Sequence, residues 1–369
     1  MPVLSQEWRE VARREIEPRA ARFDREERIP LDWLAELEIW GAVYPEDAGG
    51  LGMDMISFGR LNEDIGRACS SVRDLLTVHS MVGRAIHRWG SDEQREEWLP
   101  RLAAGRTLAA FCLSEPEAGS DARHGKTTAV RCGDEFLLSG TKAWVTGGQI
   151  AAVLLVVAQC DGAPTAFLVE HDPYTIDVAP IRGMLGHRAS MLASIRFSEC
   201  RVPARNLLGR IGSGFSHVAS TALDLGRYSV AWGCVGIAQG CLEADVAYAA
   251  RRRQFGVPLQ EHQLIQRMIA DTATDLRAAR ALCVSAGNLR ESGHPEAILE
   301  TCAAKYFASR VACRAATDAV QIHGAAGCVS DAAVQRYYRD AKIMEIIEGS
   351  NEMQQIMIAR HECARGGMA

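Results

Sequence analysis

The period of the hydrophobic pattern changes twice along this chain, and each change limits the folds that the chain can adopt. From residue 8 to about residue 108, charged and apolar residues alternate at helical spacing. Between about 109 and 214, short β-prone runs follow one another between Gly, Pro and Asp residues, with no space for a helix of ten residues. Helical spacing then returns. This order predicts an α+β multidomain protein whose middle domain is an antiparallel β-domain and not a βαβ array.

We place an N-terminal helical domain at residues 1–110, a β-barrel-like domain at 111–214 and a C-terminal four-helix bundle at 215–369. The clearest bundle helix carries one apolar stripe from Leu264 to Leu282, over about five turns. We expect this stripe to pack against other helices.

Two helices of the N-terminal domain can be predicted from local patterns. The apolar residues of segment 33–40 fall on one face, which predicts a helix that ends near Gly41. Ser91, followed three residues later by Gln94, predicts the capped start of another helix.

Composition excludes several classes of protein. The 369 residues include 41 Lys+Arg and 46 Asp+Glu, a net charge of −5, so no chain-wide positive field favours nucleic acid or an anionic membrane as a partner. The longest apolar run, residues 150–158, is too short to span a bilayer, and the N-terminus has no apolar leader, which favours a cytoplasmic protein. The 12 cysteines form no C-x-x-C pair and the histidines show no ligand spacing, so we expect reduced thiols and no metal site.

Common catalytic motifs are also absent. The chain contains no G-x-x-x-x-G-K-[ST], H-E-x-x-H or G-x-S-x-G, and the glycines between residues 209 and 214 do not form G-x-G-x-x-G. A P-loop or Rossmann enzyme is therefore disfavoured.

Two short segments combine small, hydroxyl and aromatic residues. Segment 113–121 is rich in Ser, Gly and acidic residues, whose N–H and hydroxyl groups can contact a flat polar ring or a phosphate; taken alone, such a segment is usually a surface turn. In segment 142–148, Trp144 and Thr146 are two residues apart and point to one side of a strand. By itself, Trp144 would be a core residue.

Together these segments carry a family resemblance. E-P-x-A-G-S-D at residues 115–121, followed by K-x-W-V-T-G at 142–147, closely resembles the flavin-binding domain of the acyl-CoA dehydrogenases. The resemblance implies an FAD-dependent oxidoreductase that removes hydrogen across the Cα–Cβ bond of an acyl thioester. The remaining signatures are R-x-x-F-G at 252–256 with E-H-Q at 261–263, Q-x-x-G-x-x-G at 321–327, R-D-A-K at 339–342 and E-G-S-N-E at 348–352.

The resemblance assigns cofactor and oligomer roles. It implies that the adenosine diphosphate half of FAD is held by residues of a neighbouring subunit, in a homodimer or homotetramer with FAD shared across an interface. Without the resemblance, Arg252 would be the solvated end of a helix. The isoalloxazine positions match Phe111, Leu113, Ser114, Trp144 and Thr146, and a phosphate position matches Ser120; the remaining cofactor positions match Arg252, Phe255, Gln263, Gln321, Gly324, Ser350 and Glu352.

Glu348 matches the catalytic base of the family. Removing a thioester α-proton needs a carboxylate in a water-poor site, while the β-hydride passes to the flavin. Taken alone, a Glu before Gly is usually a loop or cap residue, Asp224 and Arg227 are an ordinary i,i+3 helix pair, and Arg73 extends to solvent. The positions at the substrate match Arg73, Thr77, Ser190, Asp224, Arg227 and Gly349.

Residues that depart from the family pattern indicate which kind of acyl group the substrate carries. Met191 and Leu192 replace polar residues of a segment at the flavin edge, and a cation at Arg73 suits a short oxygenated acyl group. The chain is similar to members that act on an acyl carrier protein in polyketide extender-unit (hydroxymalonyl or methoxymalonyl) biosynthesis. The alternatives are a short-chain acyl-CoA dehydrogenase of fatty or amino acid catabolism, a flavin monooxygenase on the same fold and a non-enzymatic scaffold; the electron acceptor is open.

Overall fold

The computed structural model describes residues 8–366; the first seven and last three residues, with part of the polar N-terminal stretch, lie outside the described residues. A π-helical turn, Ala12–Ile16, leads into the N-terminal helices. These helices are α1 Glu17–Glu26, α2 Leu31–Ala35, α3 Met55–Ala68, α4 Ser70–Trp89 and α5 Asp92–Ala103.

One of the two local helix predictions is confirmed and the other is wrong. Ser91 Oγ accepts from Gln94 N–H at 3.2 Å and Gln94 Oε1 accepts from Ser91 N–H at 3.1 Å, which is the predicted capping box. The predicted helix over 33–40 ends at Ala35 instead. Successive turns bury the apolar residues of this segment without a continuous helix. The buried Trp40 indole donates to the Leu34 carbonyl at 2.8 Å.

The middle domain is one sheet in which strand order departs from chain order. β4 lies near its centre and is buried along almost its whole length, because the sheet's own apolar side covers one face and residues of α4 and α5 cover the other. The sheet runs β6-β7-β3-β2-β4-β5-β8, with β1 also paired to β4. The strands are β1 Ala109–Cys112, β2 Thr128–Cys132, β3 Glu135–Val145, β4 Val153–Cys160, β5 Ala163–Glu170, β6 Ile176–Pro180, β7 Ala193–Pro203 and β8 Leu207–Leu208.

The prediction of an antiparallel domain holds for most strand pairs, with two exceptions. β1 is parallel to β4, with Ala109 opposite Val153, and β2 meets β4 in parallel at Thr128 and Gln159. A parallel pair needs a long connection, and the β2–β3 hairpin lies inside the connection from β1 to β4.

The C-terminal domain is the predicted bundle, formed by α6 to α9, with α10 packed on α8. Contrary to the prediction, the apolar stripe on α7 is only half covered: Leu276 is 2% exposed, whereas Leu264 is 69% exposed. These elements are α6 Ser220–Arg251, β9 Arg253–Gln254, β10 Val257–Pro258, α7 Gln263–Glu291, α8 Ala297–His323, α9 Ala333–Met344 and α10 Asn351–Gly366.

Helices α4 and α6 run antiparallel, and their contact joins the first and last domains beside the sheet. Thr77 Oγ1 lies 2.5 Å from Ser229 Oγ, and Trp89 Nε1 donates to Thr221 Oγ1 at 2.8 Å. No helix among the described residues is long and apolar enough to cross a membrane. The twelve cysteines are free thiols, most of them buried, as predicted.

Candidate active site

Glu348 lies in the turn between α9 and α10, where the backbone has an uncommon conformation. Its φ is +54° and that of Gly349 is +86°, so both occupy the left-handed region, which costs a non-glycine residue about 1–3 kcal/mol. Arg227 Nε donates to the Glu348 carbonyl at 3.2 Å. Gln354 Nε2 donates to the carbonyls of Glu348 and Gly349 at 3.3 and 2.9 Å. Side chains of α6 and α10 therefore hold the turn by its carbonyl groups.

The carboxyl group of Glu348 lies against α4 and α6. A Cβ on Gly226 would lie 2.7 Å from Glu348 Oε2 and 2.7 Å from Met81 Sδ, so the carboxyl occupies space that a glycine leaves open. Oε2 is buried and has no hydrogen-bond partner in the described part of the chain. Burial raises the pKa of Glu348 to about 7; Arg227 opposes this rise and Asp74 adds to it. Such a carboxyl group can accept a proton near neutral pH.

A buried lysine, Lys305 on α8, contacts the same turn and was missed by sequence reasoning. Its Nζ donates to the carbonyls of Glu345 and Gly349 at 3.3 and 3.0 Å and to Asn351 Oδ1 at 3.1 Å. Burial lowers the pKa of Lys305 to about 8. The signal that could have identified Lys305 is a charged residue on the apolar face of α8, one turn from Ala308.

Arg73 is completely buried, so the alternative that it extends to solvent is wrong. Its Nη1 donates to Thr77 Oγ1 at 2.9 Å, its Nη2 pairs with Asp74, and the same nitrogen lies 3.5 Å from Met344 Sδ. Arg73 Nε is buried without a partner in the described residues. The bonds to Thr77 and Asp74 on α4 compensate most of the cost of burying the guanidinium, but its Nε–H donor remains without an acceptor.

Asp74 joins α4 to the segment that departs from the family pattern. Asp74 Oδ2 lies 2.5 Å from His187 Nδ1 and accepts from Ser190 Oγ at 3.0 Å. Burial alone would raise the pKa of Asp74, but His187 and Arg73 lower it. The Ser190 carbonyl in turn accepts from Gly147 N–H at 2.9 Å. Ser190 therefore braces the turn after Trp144, and neither Asp74 nor His187 was predicted from the sequence.

Asp224 and Arg227 do not pair with each other, so the alternative of an i,i+3 helix pair is wrong. Asp224 Oδ2 accepts from Arg290 Nη1 at 2.8 Å, and its Oδ1 is buried without a partner in the described residues. Arg227 binds the Glu348 carbonyl. Arg227 thus contacts the Glu348 turn, whereas Asp224 pairs with Arg290 on α7.

A buried ion pair joins the two segments that carry the motifs. Lys142 Nζ donates to Glu115 Oε1 at 2.7 Å and to the Leu113 carbonyl at 3.1 Å. Glu115 Oε1 also accepts from Thr127 N–H at 3.0 Å. Burial opposes ionisation, but the bonds from Lys142 and Thr127 lower the pKa of Glu115 to about 2. The main chain closes the contact, since Ala143 N–H donates to the Ser114 carbonyl at 2.9 Å.

Trp144 is exposed, although taken alone it was expected in the core. Its indole is 57% exposed and its φ is +59°, at a bulge in the pairing of β3 with β7. Val145 is buried, whereas Thr146 is partly exposed, which agrees with the predicted alternation. Near them, Phe111 packs in one apolar cluster with Met81, the residue that contacts the Glu348 site.

Comparison with known protein families agrees with this architecture. The acyl-CoA dehydrogenase N-terminal, middle and C-terminal domain models match residues 3–106, 110–200 and 212–362. The chain belongs to the acyl-CoA dehydrogenase family. It is an oxidoreductase that acts on the CH–CH bond of an acyl thioester, with FAD as its cofactor.

Three relatives illustrate the range of this similarity. The chain is 38% identical to the mitochondrial short-chain specific acyl-CoA dehydrogenase of Sus scrofa, over 97% of this chain and 89% of that protein. Butyryl-CoA dehydrogenase from Megasphaera elsdenii has a TM-score of 0.93 at 32% identity, with 98% of each chain covered. FkbI, described as acting in biosynthesis of the methoxymalonyl extender unit of the Fk520 polyketide, has a TM-score of 0.90 at 35% identity, over 96% of this chain and 99% of that chain.

As expected of an acyl-CoA dehydrogenase, the residues near Trp144 fit an isoalloxazine. The exposed indole offers an apolar surface to a planar ring, and the hydroxyl groups of Ser114 and Thr146 can donate to its polar edge. Phe111 and Leu113 add apolar contacts from β1 and the residue after it. Near this group, Ser120 is exposed.

The residues matched to the adenosine diphosphate half lie elsewhere in the same acyl-CoA dehydrogenase chain. Along α6, 26 residues separate Gly226, beside the Glu348 carboxyl, from Arg252, about 39 Å at 1.5 Å per residue. Within one chain Arg252 therefore lies far from Glu348. Arg252, Phe255, Gln263, Gln321 and Gly324 are all exposed, Phe255 to 95%, whereas Ser350 and Glu352 lie beside the base turn.

Proposed function

We propose that this enzyme desaturates a short, oxygenated acyl thioester, with Glu348 as the base. The observation that carries the base assignment is the buried Glu348 Oε2, which has no protein partner in the described residues and lies beside Met81. A structural carboxylate at such depth would be paired, because an unpaired buried charge is costly. The free oxygen is therefore available to a substrate proton.

The chain's own groups can orient the thioester. The N–H of Glu348 makes no backbone hydrogen bond in the described residues, so it can donate to the thioester carbonyl and stabilise the enolate. Arg227 and Gln354 bind the Glu348 carbonyl and thereby fix the peptide group that follows Glu348. FAD, when bound, supplies the acceptor for the hydride that leaves Cβ as the α-proton moves to Glu348.

The side chains of α4 beyond Met81 favour a short polar acyl group. Thr77 lies one turn from Met81, about 6 Å along the helix axis, so polar side chains follow the Glu348 site closely. Arg73 lies one turn beyond Thr77, to which its Nη1 donates, and Arg73 Nε lacks a protein partner in the described residues. An alkyl tail beside Arg73 would give its Nε no acceptor, whereas a hydroxyl or carbonyl oxygen can accept from it.

We propose a glyceryl-type group on an acyl carrier protein, in hydroxymalonyl or methoxymalonyl extender-unit biosynthesis, as the substrate. The similarity to FkbI supports this assignment. Dehydrogenation of a 2,3-dihydroxypropanoyl thioester gives an enol that tautomerises to an aldehyde. The alternative is a short-chain acyl-CoA substrate, which the similarity to the Sus scrofa and Megasphaera elsdenii enzymes favours.

The test is anaerobic reduction of the bound flavin by butyryl-CoA, by glyceryl-CoA and by the glyceryl thioester of a carrier protein. We expect the glyceryl carrier substrate to reduce the flavin fastest. Arg73→Met should slow its reaction by about tenfold or more, the value of one hydrogen bond to a charged group, without slowing butyryl-CoA. Arg88→Met, an exposed arginine on the same helix, is the matched control. Faster reduction by butyryl-CoA would favour the alternative.

We also propose that a second copy of the chain supplies the adenosine diphosphate half of the FAD site. The separation of about 39 Å along α6 between Gly226 and Arg252, and the exposure of the residues matched to the adenosine diphosphate half, support this arrangement. The exposed first half of the α7 stripe, at Leu264, is a further apolar surface that an interface would cover.

A further inference from the structure

Lys305 is a buried cation for which the proposed chemistry has no direct use. It lies in the middle of α8 with its side chain wholly inside the protein. Lysine is rarely fully buried unless its charge is compensated. The groups that surround its ammonium therefore indicate what the residue does.

The ammonium group is saturated by three acceptors of the turn between α9 and α10. An ammonium has three N–H donors, and Nζ has three partners, the Glu345 carbonyl, the Gly349 carbonyl and Asn351 Oδ1. Ser309 on the same helix also donates to Asn351 Oδ1, at 2.9 Å. These contacts tie α8 to both ends of the turn.

The acceptors lie on both sides of Glu348. Glu345 precedes it by three residues and Gly349 follows it directly, and the backbone between them includes two left-handed residues. Such a conformation persists only where surrounding contacts enforce it. Arg227 and Gln354 bind the centre of the turn, but among these three side chains only Lys305 reaches its first carbonyl.

We propose that Lys305 is a positioning residue for Glu348: its ammonium fixes the turn on both sides of the base and keeps the carboxyl against Gly226. The inference rests on the proposed role of Glu348 as the base. The positive charge of Lys305 also acts on Glu348, because it is one of the charges that lower the pKa of this carboxyl against the effect of burial.

The experiment compares Lys305→Met with Lys342→Met in FAD-loaded enzyme. Lys342 is exposed and pairs with the Glu345 side chain from outside the turn. At saturating substrate and about pH 7.5, where Glu348 is largely ionised and Lys305 largely protonated, we expect Lys305→Met to reduce flavin at least about tenfold more slowly, since a misplacement of ~1 Å can cost about 10²-fold. The dissociation constant of a product thioester should change less than about threefold, and Lys342→Met should change neither value.

Two further readouts separate positioning from general stability. The midpoint of the pH–rate profile should move upward in Lys305→Met, because a cation that favours the carboxylate is gone. Hydrogen–deuterium exchange of the peptide spanning 345–351 should accelerate only in that variant. An unchanged rate and unchanged exchange in folded Lys305→Met would overturn the proposal.

A second variant covers the case in which Lys305→Met does not fold. Asn351→Ala removes one of the three acceptors, and we expect faster exchange of 345–351 with a smaller loss of rate; unchanged exchange overturns the proposal.

Glu348→Gln separates the two proposals. If that variant keeps the wild-type rate, the base assignment fails, whereas the exchange result still decides whether Lys305 holds the turn.

Discussion

Glu348 is held by its backbone, and its side chain is left without a partner. Arg227 and Gln354 donate to its carbonyl, whereas Oε2 has no partner in the described residues. A glutamate that stabilises a fold has the opposite arrangement, since its carboxylate makes the bonds. Backbone anchoring fixes the position of Glu348 while it leaves the carboxyl free to take a proton.

Replacement of this carboxyl tests the assignment directly. Glu348→Gln keeps the shape of the side chain but removes the base, so flavin reduction should slow by about 10²–10⁴-fold or more. FAD binding should persist, because the cofactor is assigned to other residues. Stopped-flow measurement of flavin absorbance under anaerobic conditions gives the rate. Glu345→Gln, on the same turn, is the control and should stay within a few-fold of wild type; equal losses in both variants would contradict the assignment.

The raised pKa of Glu348 predicts the direction of the pH dependence. Burial raises the pKa to about 7, so the group is protonated and inactive below this value and ionised above it. The value of kcat/KM for flavin reduction, which reports the ionisation of the free enzyme, should therefore rise as pH increases through about 7. A profile measured from about pH 5 to 9 checks this, and a constant rate across that range would exclude Glu348 as the titrating base.

At the scale of elements, the motif segments are also structural units. Glu115 and Lys142 pair in the interior and join segment 113–121 to the end of β3, beside Trp144. The same residues that carry the family resemblance thus also shape the cofactor surface.

This pair predicts a large effect on stability. Glu115→Gln leaves Lys142 as an uncompensated buried cation, which should lower the free energy of unfolding by about 3–5 kcal/mol and weaken FAD binding. The pKa of Glu115 is lowered to about 2, so its contribution is complete above its unfolded pKa and disappears as pH falls towards 2. Urea unfolding near neutral pH gives the value. Glu117→Gln, whose pair with Lys126 is exposed, should cost no more than about 1 kcal/mol; a similar cost for both would contradict the prediction.

The elements also show where sequence patterns stop being informative. The capping box at Ser91 was predictable because its partners are three residues apart. The end of the helix at Ala35 was not predictable, because a periodic apolar pattern indicates which residues are buried but not the backbone conformation that buries them. The burial of Arg73 depends partly on Met344, 271 residues away. The burial of Lys305 depends on the turn at Gly349, 44 residues away. Such contacts exist only after the domains have packed.

At the scale of the whole molecule, the order of helical, β and helical regions was predictable, whereas the assembled site was not. The family resemblance assigned Arg252 to the FAD site, and the fold places it about 39 Å along α6 from Gly226, which lies beside Glu348. The assigned domain limits and the subunit arrangement stay predictions.

A mixed assembly tests the proposal that FAD is shared between copies. Trp144→Asp places a charge at the ring surface, and Arg252→Glu places an anion at the diphosphate position, so each variant alone should lose FAD. If each site uses Trp144 of one copy and Arg252 of the other, a dimer of the two variants contains one intact site and one doubly altered site. Differently tagged variants, co-expressed and purified through both tags, should therefore recover about one FAD per two chains. Wild-type protein that binds FAD as a monomer, or mixed dimers without FAD, would contradict a shared site.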